Sequence, residues 1–212
     1  GAYIVAEEGS EKVTVNVADI PLTHNGTIPF QVDNVMAVMA AAWSLTIDWQ
    51  TIRAGLATFV SDADTVPGRF NLFHYQGATV IADYGHNPDA IQALVAAVQA
   101  MPATKRSVVI SAAGDRRDQD IRLQTQILGN AFDEVVLYED QCQRGRADGE
   151  VLTLLRQGLT SANRVTHVQE IRGEQLAIDA ALARLSPGDL CLVLVDQVND
   201  ALHHLKQRAA GL

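Results

Sequence analysis

The rhythm of apolar and polar positions changes near residue 60. Ahead of that point, two short apolar-rich runs, about Ala2–Ala6 and Lys12–Val17, predict strands joined by a Gly-Ser turn. A polar loop, THNGTIPF, follows, and then an Ala- and Met-rich helix to about Ser44 that either Asp33 or Asn34 could cap. IDWQTIRAGLATF predicts a second helix capped by Asp48. A hairpin and two helices are little for an independent domain, so the front of the chain reads as the end of something larger. The polar stretch VSDADTVPGRF, with Pro67-Gly68, reads as a joint between residues 1–66 and 67–212.

Beyond the joint the pattern becomes regular. Apolar runs at Phe70–His74, Thr79–Ala82, Ser107–Ala112, Glu134–Tyr138, Val165–Val168 and Leu190–Val195 predict strands. Helical patterns lie between and after them, at about Pro88–Ala100, Asp118–Asn130, Gly149–Gly158, Gly173–Ala183 and Asn199–Arg208. Apolar strands alternating with helices imply a mostly parallel sheet covered on both faces, a Rossmann-like α/β domain.

Composition narrows the function classes. The 212 residues are 48% hydrophobic and 19% charged, with a net charge of −9, which argues against sequence-independent nucleic-acid binding. No run approaches the ~18 apolar residues of a membrane span, and no signal-peptide pattern opens the chain. A cytoplasmic protein is the expectation. Cys142 and Cys191, without zinc-like spacing, read as free thiols of a reducing compartment.

In open α/β sheets ligands collect at the carboxyl ends of strands, and three segments sit there. In VIADYGHNPDA, Asn87 suits an N-cap, Pro88 the first helical position and Asp89 the first turn. Asp83 and His86 have no such role. An Asp there can accept from ribose hydroxyls or hold a basic side chain, and His86 can donate to a nucleotide or stack. Turn-building and chemistry both stay open. In SAAGDRRDQDI, Asp115 or Asp118 could cap a helix; otherwise Arg116 and Arg117 could grip a carboxylate or phosphate while the acids meet a cationic group. In YEDQCQRGRADGE, acids alternate with Arg144 and Arg146, as in a surface loop or a substrate-facing one. There is no GxxxxGK[ST] and no GxGxxG, hence no recognisable triphosphate cradle. The six histidines show no metal spacing.

PGRF…VIADYGHNP resembles the start of the C-terminal domain of the Mur ligase superfamily, ATP-dependent enzymes that join amino acids to a carboxylate. With SAAGDRRDQDI and YEDQCQRGRADGE in the same order, the chain is similar, over most of residues 25–197, to the C-terminal end of the cyanophycin synthetases within it. The resemblance implies a tail of the central ATPase domain at 1–66 and a mobile lid at 67–212. It implies ATP and Mg2+, the metal held mainly upstream, and missing N-terminal domains of the same polypeptide. It further implies arginine and an aspartate-rich polymer as substrates, and self-association. Carried onto this sequence, Asn34 lies near adenine, Arg69 reaches the phosphates, Asp83 and His86 contact the ribose side, and Asn87 is a cap or a contact. Arginine would sit by Asp115, Arg116, Arg117, Asp118, Arg144 and Arg146, with Asp115 and Asp118 facing its guanidinium. No ligase activity is expected of the fragment alone. The rivals are a peptidoglycan or folylpolyglutamate-type ligase and, in another class, a non-catalytic α/β binding or assembly module. The absence of an Asp-Asn-Pro-Arg motif counts against the diaminopimelate-adding branch.

Overall fold

A computed structural model describes residues 1–140 and 143–211; Cys142 lies outside the described residues. The chain divides into two compact units, Gly1–Ser61 and Asp62–Leu212.

In the first unit, β1 (Tyr3–Glu8) and β2 (Glu11–Asn16) form an antiparallel hairpin. The segment that follows winds into two single 3₁₀ turns, Val17–Asp19 and Pro21–Thr23. Helix α1 spans Pro29–Ser44 and α2 spans Trp49–Thr58. Asp48 caps α2 as expected, its Oδ1 accepting from the Thr51 N–H at 3.0 Å. Neither Asp33 nor Asn34 caps α1. Pro29 takes the first helical position with its preset φ, so the helix starts earlier and both residues lie inside it. Ile4, Val13, Val15, Ile20, Val35, Met39, Ile52 and Leu56 form this unit's core.

The second unit is built on six strands: β3 (Asn71–Tyr75), β4 (Ala78–Asp83), β5 (Arg106–Ile110), β6 (Glu134–Glu139), β7 (His167–Arg172) and β8 (Leu190–Leu194). Their order is β3-β4-β8-β5-β6-β7. Four neighbouring pairs are parallel, while β3 runs antiparallel to β4. Only Gln76 and Gly77, both at positive φ, separate β3 from β4, and two residues allow a hairpin but no crossover. Strand β7 starts two residues later than the apolar run predicts. The amides of Arg164 and Val165 bond Gly129 and those of Thr166 and His167 bond Asp133, before pairing with β6 begins.

Helices α3 (Pro88–Ala100), α4 (Asp118–Ala131) and α5 (Glu150–Leu159) cover one face, and α6 (Glu174–Leu182) and α7 (Val198–Ala209) the other. The chain steps outward from β4 through β5 and β6 to β7, then returns to insert β8 between β4 and β5. That reversal puts helices on both faces and makes the central strands apolar throughout; β8 is buried at every position. The α6–α7 face holds Val80, Val109, Val136, Tyr138, Cys191 and Val193. Burial pushes the Cys191 thiol up to about 11, so it behaves as a small apolar core residue. The reversal also gathers the carboxyl ends of β4, β8, β5 and β6 side by side.

Candidate functional site

Strand β4 ends in Asp83, which is buried, and the turn after it closes on that side chain. Asp83 Oδ1 accepts from the Gly85 N–H at 2.7 Å, and Oδ2 accepts from the Phe70 N–H at 2.8 Å. Burial raises the carboxyl above the usual Asp range, while those two donors and the Arg69 charge act against the rise. Asp83 therefore has the turn-building role that its spacing left open: it ties the joint to the end of β4. The joint is fastened further. The Gly68 N–H donates to Asn71 Oδ1 at 2.7 Å, and the Gly68 carbonyl accepts from the Tyr84 N–H at 2.9 Å. Gly68 has φ of +71°, and a Cβ there would lie 2.9 Å from Val198 Cγ1, so both backbone and space require glycine. The clasp presents Arg69 over the Tyr84 ring, 5.8 Å from its centroid.

His86 packs against Tyr84, with ring centroids 4.7 Å apart. Its Nδ1 lies 2.6 Å from the Tyr84 carbonyl oxygen. A carbonyl can only accept, so Nδ1 carries the proton and Nε2 keeps a lone pair. Nε2 is buried and has no hydrogen-bond partner among the described residues. Burial pushes the imidazole below its usual range. The Tyr84 carbonyl and Asp196 oppose that shift, whereas Arg144 and Arg116 reinforce it. His86 is thus a neutral, buried acceptor with an unfilled lone pair. The Gln124 Nε2 on α4 donates to the His86 carbonyl at 3.3 Å, and Gln124 Oε1 is likewise buried without a partner. Asn87 is a cap: its Oδ1 accepts from the Ala90 N–H at 2.8 Å.

The loops after β5 and β6 are bound to each other. Arg146 donates from Nε to the Gly114 carbonyl at 2.6 Å and from Nη2 to the Arg116 carbonyl at 2.7 Å. It also pairs with Glu150 at 2.6 Å and Asp118 at 2.9 Å. A Cβ on Gly114 would fall 2.0 Å from the Gln143 carbonyl oxygen, so the backbones of the two loops are in contact there. Neither acid predicted as a cap of α4 holds that position; Arg117 does, without a side-chain bond, and Asp118 is the first helical residue. Arg117 turns to solvent in a bidentate pair with Asp120, at 2.8 and 3.0 Å. Arg144 lies between two acids, 3.4 Å from Asp115 and 3.8 Å from Asp196, and its guanidinium also hydrogen-bonds Tyr84. Arg116 is exposed and has no ion-pair partner among the described residues.

Of the predicted site residues, Arg69, Asp83, His86 and Arg144 gather around Tyr84, with Asp115 paired to Arg144 and Arg116 within electrostatic reach of His86. Asp118 and Arg146 are taken up by fastening the loops, and Arg117 points away. Asn34 belongs to the first unit, where it is exposed, hydrogen-bonded to Gln31 and set at the rim of an apolar cavity of about 380 Å³. Five residues around the site escaped the sequence reading, Tyr84 at its centre among them. Asp196 stands just past a strand end, where the carboxyl-end rule points. Tyr138, Gln124 and Glu174 are buried within elements and carry no local signal.

Comparison with known proteins accords with this geometry. The Mur ligase, glutamate ligase domain family matches residues 68–194. The cyanophycin synthetase of Crocosphaera subtropica is 33% identical over 207 residues, covering 97% of this chain and 24% of that protein. The UDP-N-acetylmuramoyl-L-alanyl-D-glutamate–2,6-diaminopimelate ligase of Geobacillus kaustophilus is 30% identical over 165 residues, or 77% of this chain and 32% of that protein. Among solved structures, a pseudomurein peptide ligase type C from Methanothermus fervidus superposes with a TM-score of 0.67 at 19% identity, covering 97% of this chain and 40% of that one. E. coli FolC in complex with DHPP and ADP also gives 0.67, at 21% identity, with 99% and 46% covered. These two share the fold. The chain spans about a quarter of the length of the cyanophycin synthetases it matches. The matched segment takes in the whole clasp from Gly68 to His86 and both arginine-bearing loops, and by it the chain belongs to the Mur ligase, glutamate ligase domain family.

Proposed function

We propose that the chain forms the C-terminal part of an ATP-dependent amide-bond-forming ligase of the cyanophycin synthetase type, which adds arginine to a poly-aspartate backbone. The similarity to cyanophycin synthetases over 97% of the chain supports this substrate class. The observation that carries the nucleotide half of the reading is His86 Nε2, a buried lone pair at the carboxyl edge without a donor among the described residues. A ribose hydroxyl of ATP is a donor of the right kind. Asp83, with both oxygens given to backbone amides, acts through position: it aims Arg69 and the Tyr84–His86 turn.

In this reading the acceptor carboxylate attacks the γ-phosphorus of ATP and ADP leaves. The arginine α-amine, having lost its proton, then attacks the acyl carbon; the C–O bond to phosphate breaks and inorganic phosphate departs. Both steps gather negative charge, and positioning with charge neutralisation is what a protein contributes to them. Arg69 and Arg116 supply positive charge toward the phosphates. Asp115 and Asp196, now sharing Arg144, supply the acids for a substrate guanidinium. The described residues hold no cluster of three or more His, Cys, Asp or Glu able to bind a metal, and Mg2+ is assigned, with the triphosphate cradle, to another domain of the same polypeptide. With no GxxxxGK[ST] in the chain, the triphosphate cradle is assigned to another domain of the same polypeptide, and the chain alone is expected to be inactive.

The test is ADP and phosphate release by the full-length polypeptide, with each substrate omitted in turn. Release that needs both arginine and an aspartate-rich acceptor is the expected result. Turnover with diaminopimelate and a muramyl peptide, or with glutamate and a folate, would move the protein to a sibling activity. Nucleotide binding without turnover on any acceptor would make it a binding module.

A further inference from the structure

The site depends on Asp196, and Asp196 is held by a residue from a different element. Glu174 opens α6 and is only 4% exposed. An acid in a first helical turn usually answers its own helix's free amides. Glu174 answers those of another segment: Oε1 accepts from the Asp196 N–H at 2.7 Å and Oε2 from the Gln197 N–H at 3.1 Å. The Tyr138 hydroxyl, at the end of β6, lies 3.0 Å from Glu174 Oε1 and 3.1 Å from the Leu194 carbonyl oxygen. Apart from the bond between them, the hydrogen bonds of the two side chains among the described residues all go to residues 194–197. Strand β8 is already paired on both sides, with β4 and β5, so the sheet does not need this grip to close. A carboxylate is costly to bury unless its bonds are used. What these bonds fix is the course of the chain as it leaves β8. That course sets the Asp196 carboxylate 3.8 Å from Arg144 and within electrostatic reach of His86.

We propose that Glu174, hydrogen-bonded by Tyr138, is a positioning residue of the ligase site, fixing the β8–α7 turn so that Asp196 faces Arg144 and the amino-acid substrate. The inference rests on the ligase reading above. Glu174→Gln keeps size but leaves one oxygen to serve two amides, and Tyr138→Phe removes only the hydroxyl.

The experiment is steady-state kinetics of the full-length polypeptide for both variants, at a temperature where circular dichroism shows them folded. KM for arginine is expected to rise on the order of tenfold in Glu174→Gln and by a smaller factor in Tyr138→Phe, with KM for ATP held within about twofold. Unchanged kinetic constants with only a lower Tm would reduce the pair to a packing role and overturn the proposal, leaving the ligase reading intact. Absence of turnover in the wild type would overturn the ligase reading instead. Positioning is then read from amide hydrogen exchange: selective loss of protection at Asp196 and Gln197 in Glu174→Gln supports it, and unchanged protection overturns it.

Discussion

Two buried titrating residues, three positions apart, make opposite use of burial. Asp83 is raised by burial, so the folded state holds its proton to a higher pH than the unfolded chain does. Its contribution to stability falls as pH rises from the ordinary aspartate value of 3.8 through the raised folded value. His86 is lowered, so on acidification the unfolded chain takes up the proton first, at 6.5. Its contribution is present above that pH and is lost as pH falls toward the folded value. The slope of stability between pH 7 and 5 should therefore be shallower in His86→Gln than in the wild type; an unchanged slope would show that the imidazole titrates freely. Asp83→Ala strands two buried N–H donors and should cost at least about 2 kcal/mol in a denaturant titration. Asn is no rescue, because its amide nitrogen would face an N–H.

At the scale of elements, the site is two loops and a turn fastened from behind. Arg146 takes two carbonyls from the neighbouring loop and two carboxylates. Arg146→Lys keeps the charge but loses the planar fork. Amide exchange across residues 113–117 and 143–147 should then speed up roughly five- to tenfold, with α3 unaffected; equal protection in both proteins would remove Arg146 from this role. The elements themselves were largely legible. Asn87-Pro88-Asp89 announces the start of α3, and Asp48 that of α2. Strand order was not legible, since strands apolar on both faces carry no mark of their neighbours, and nothing local places β8 between β4 and β5. The start of α1 was misread because Pro29, with its fixed φ, outranks a side-chain cap further along. The site divides the same way. Loop residues past strand ends could be named, but charge alternation does not show which arginines face each other's loops. The buried grip of Tyr138 and Glu174 has no local pattern at all.

For the molecule as a whole, the charge distribution runs against the net charge. Net charge is −9, yet Arg69, Arg116, Arg117, Arg144 and Arg146 stand at one edge of the sheet. Three of the five are paired to carboxylates, and Arg116, within electrostatic reach of His86, has no ion pair among the described residues. Arg116→Ala should raise KM for ATP, with an effect that shrinks as salt is added; a salt-independent change would point to lost packing instead. The edge around His86 is proposed as half of a nucleotide site. Its most direct test is ATP affinity of the full-length polypeptide by calorimetry, comparing wild type, His86→Ala and the remote control Arg156→Ala. The expected result is a loss on the order of tenfold in His86→Ala, with the control within about twofold of wild type. Equal affinity in all three would show that His86 takes no part in nucleotide binding.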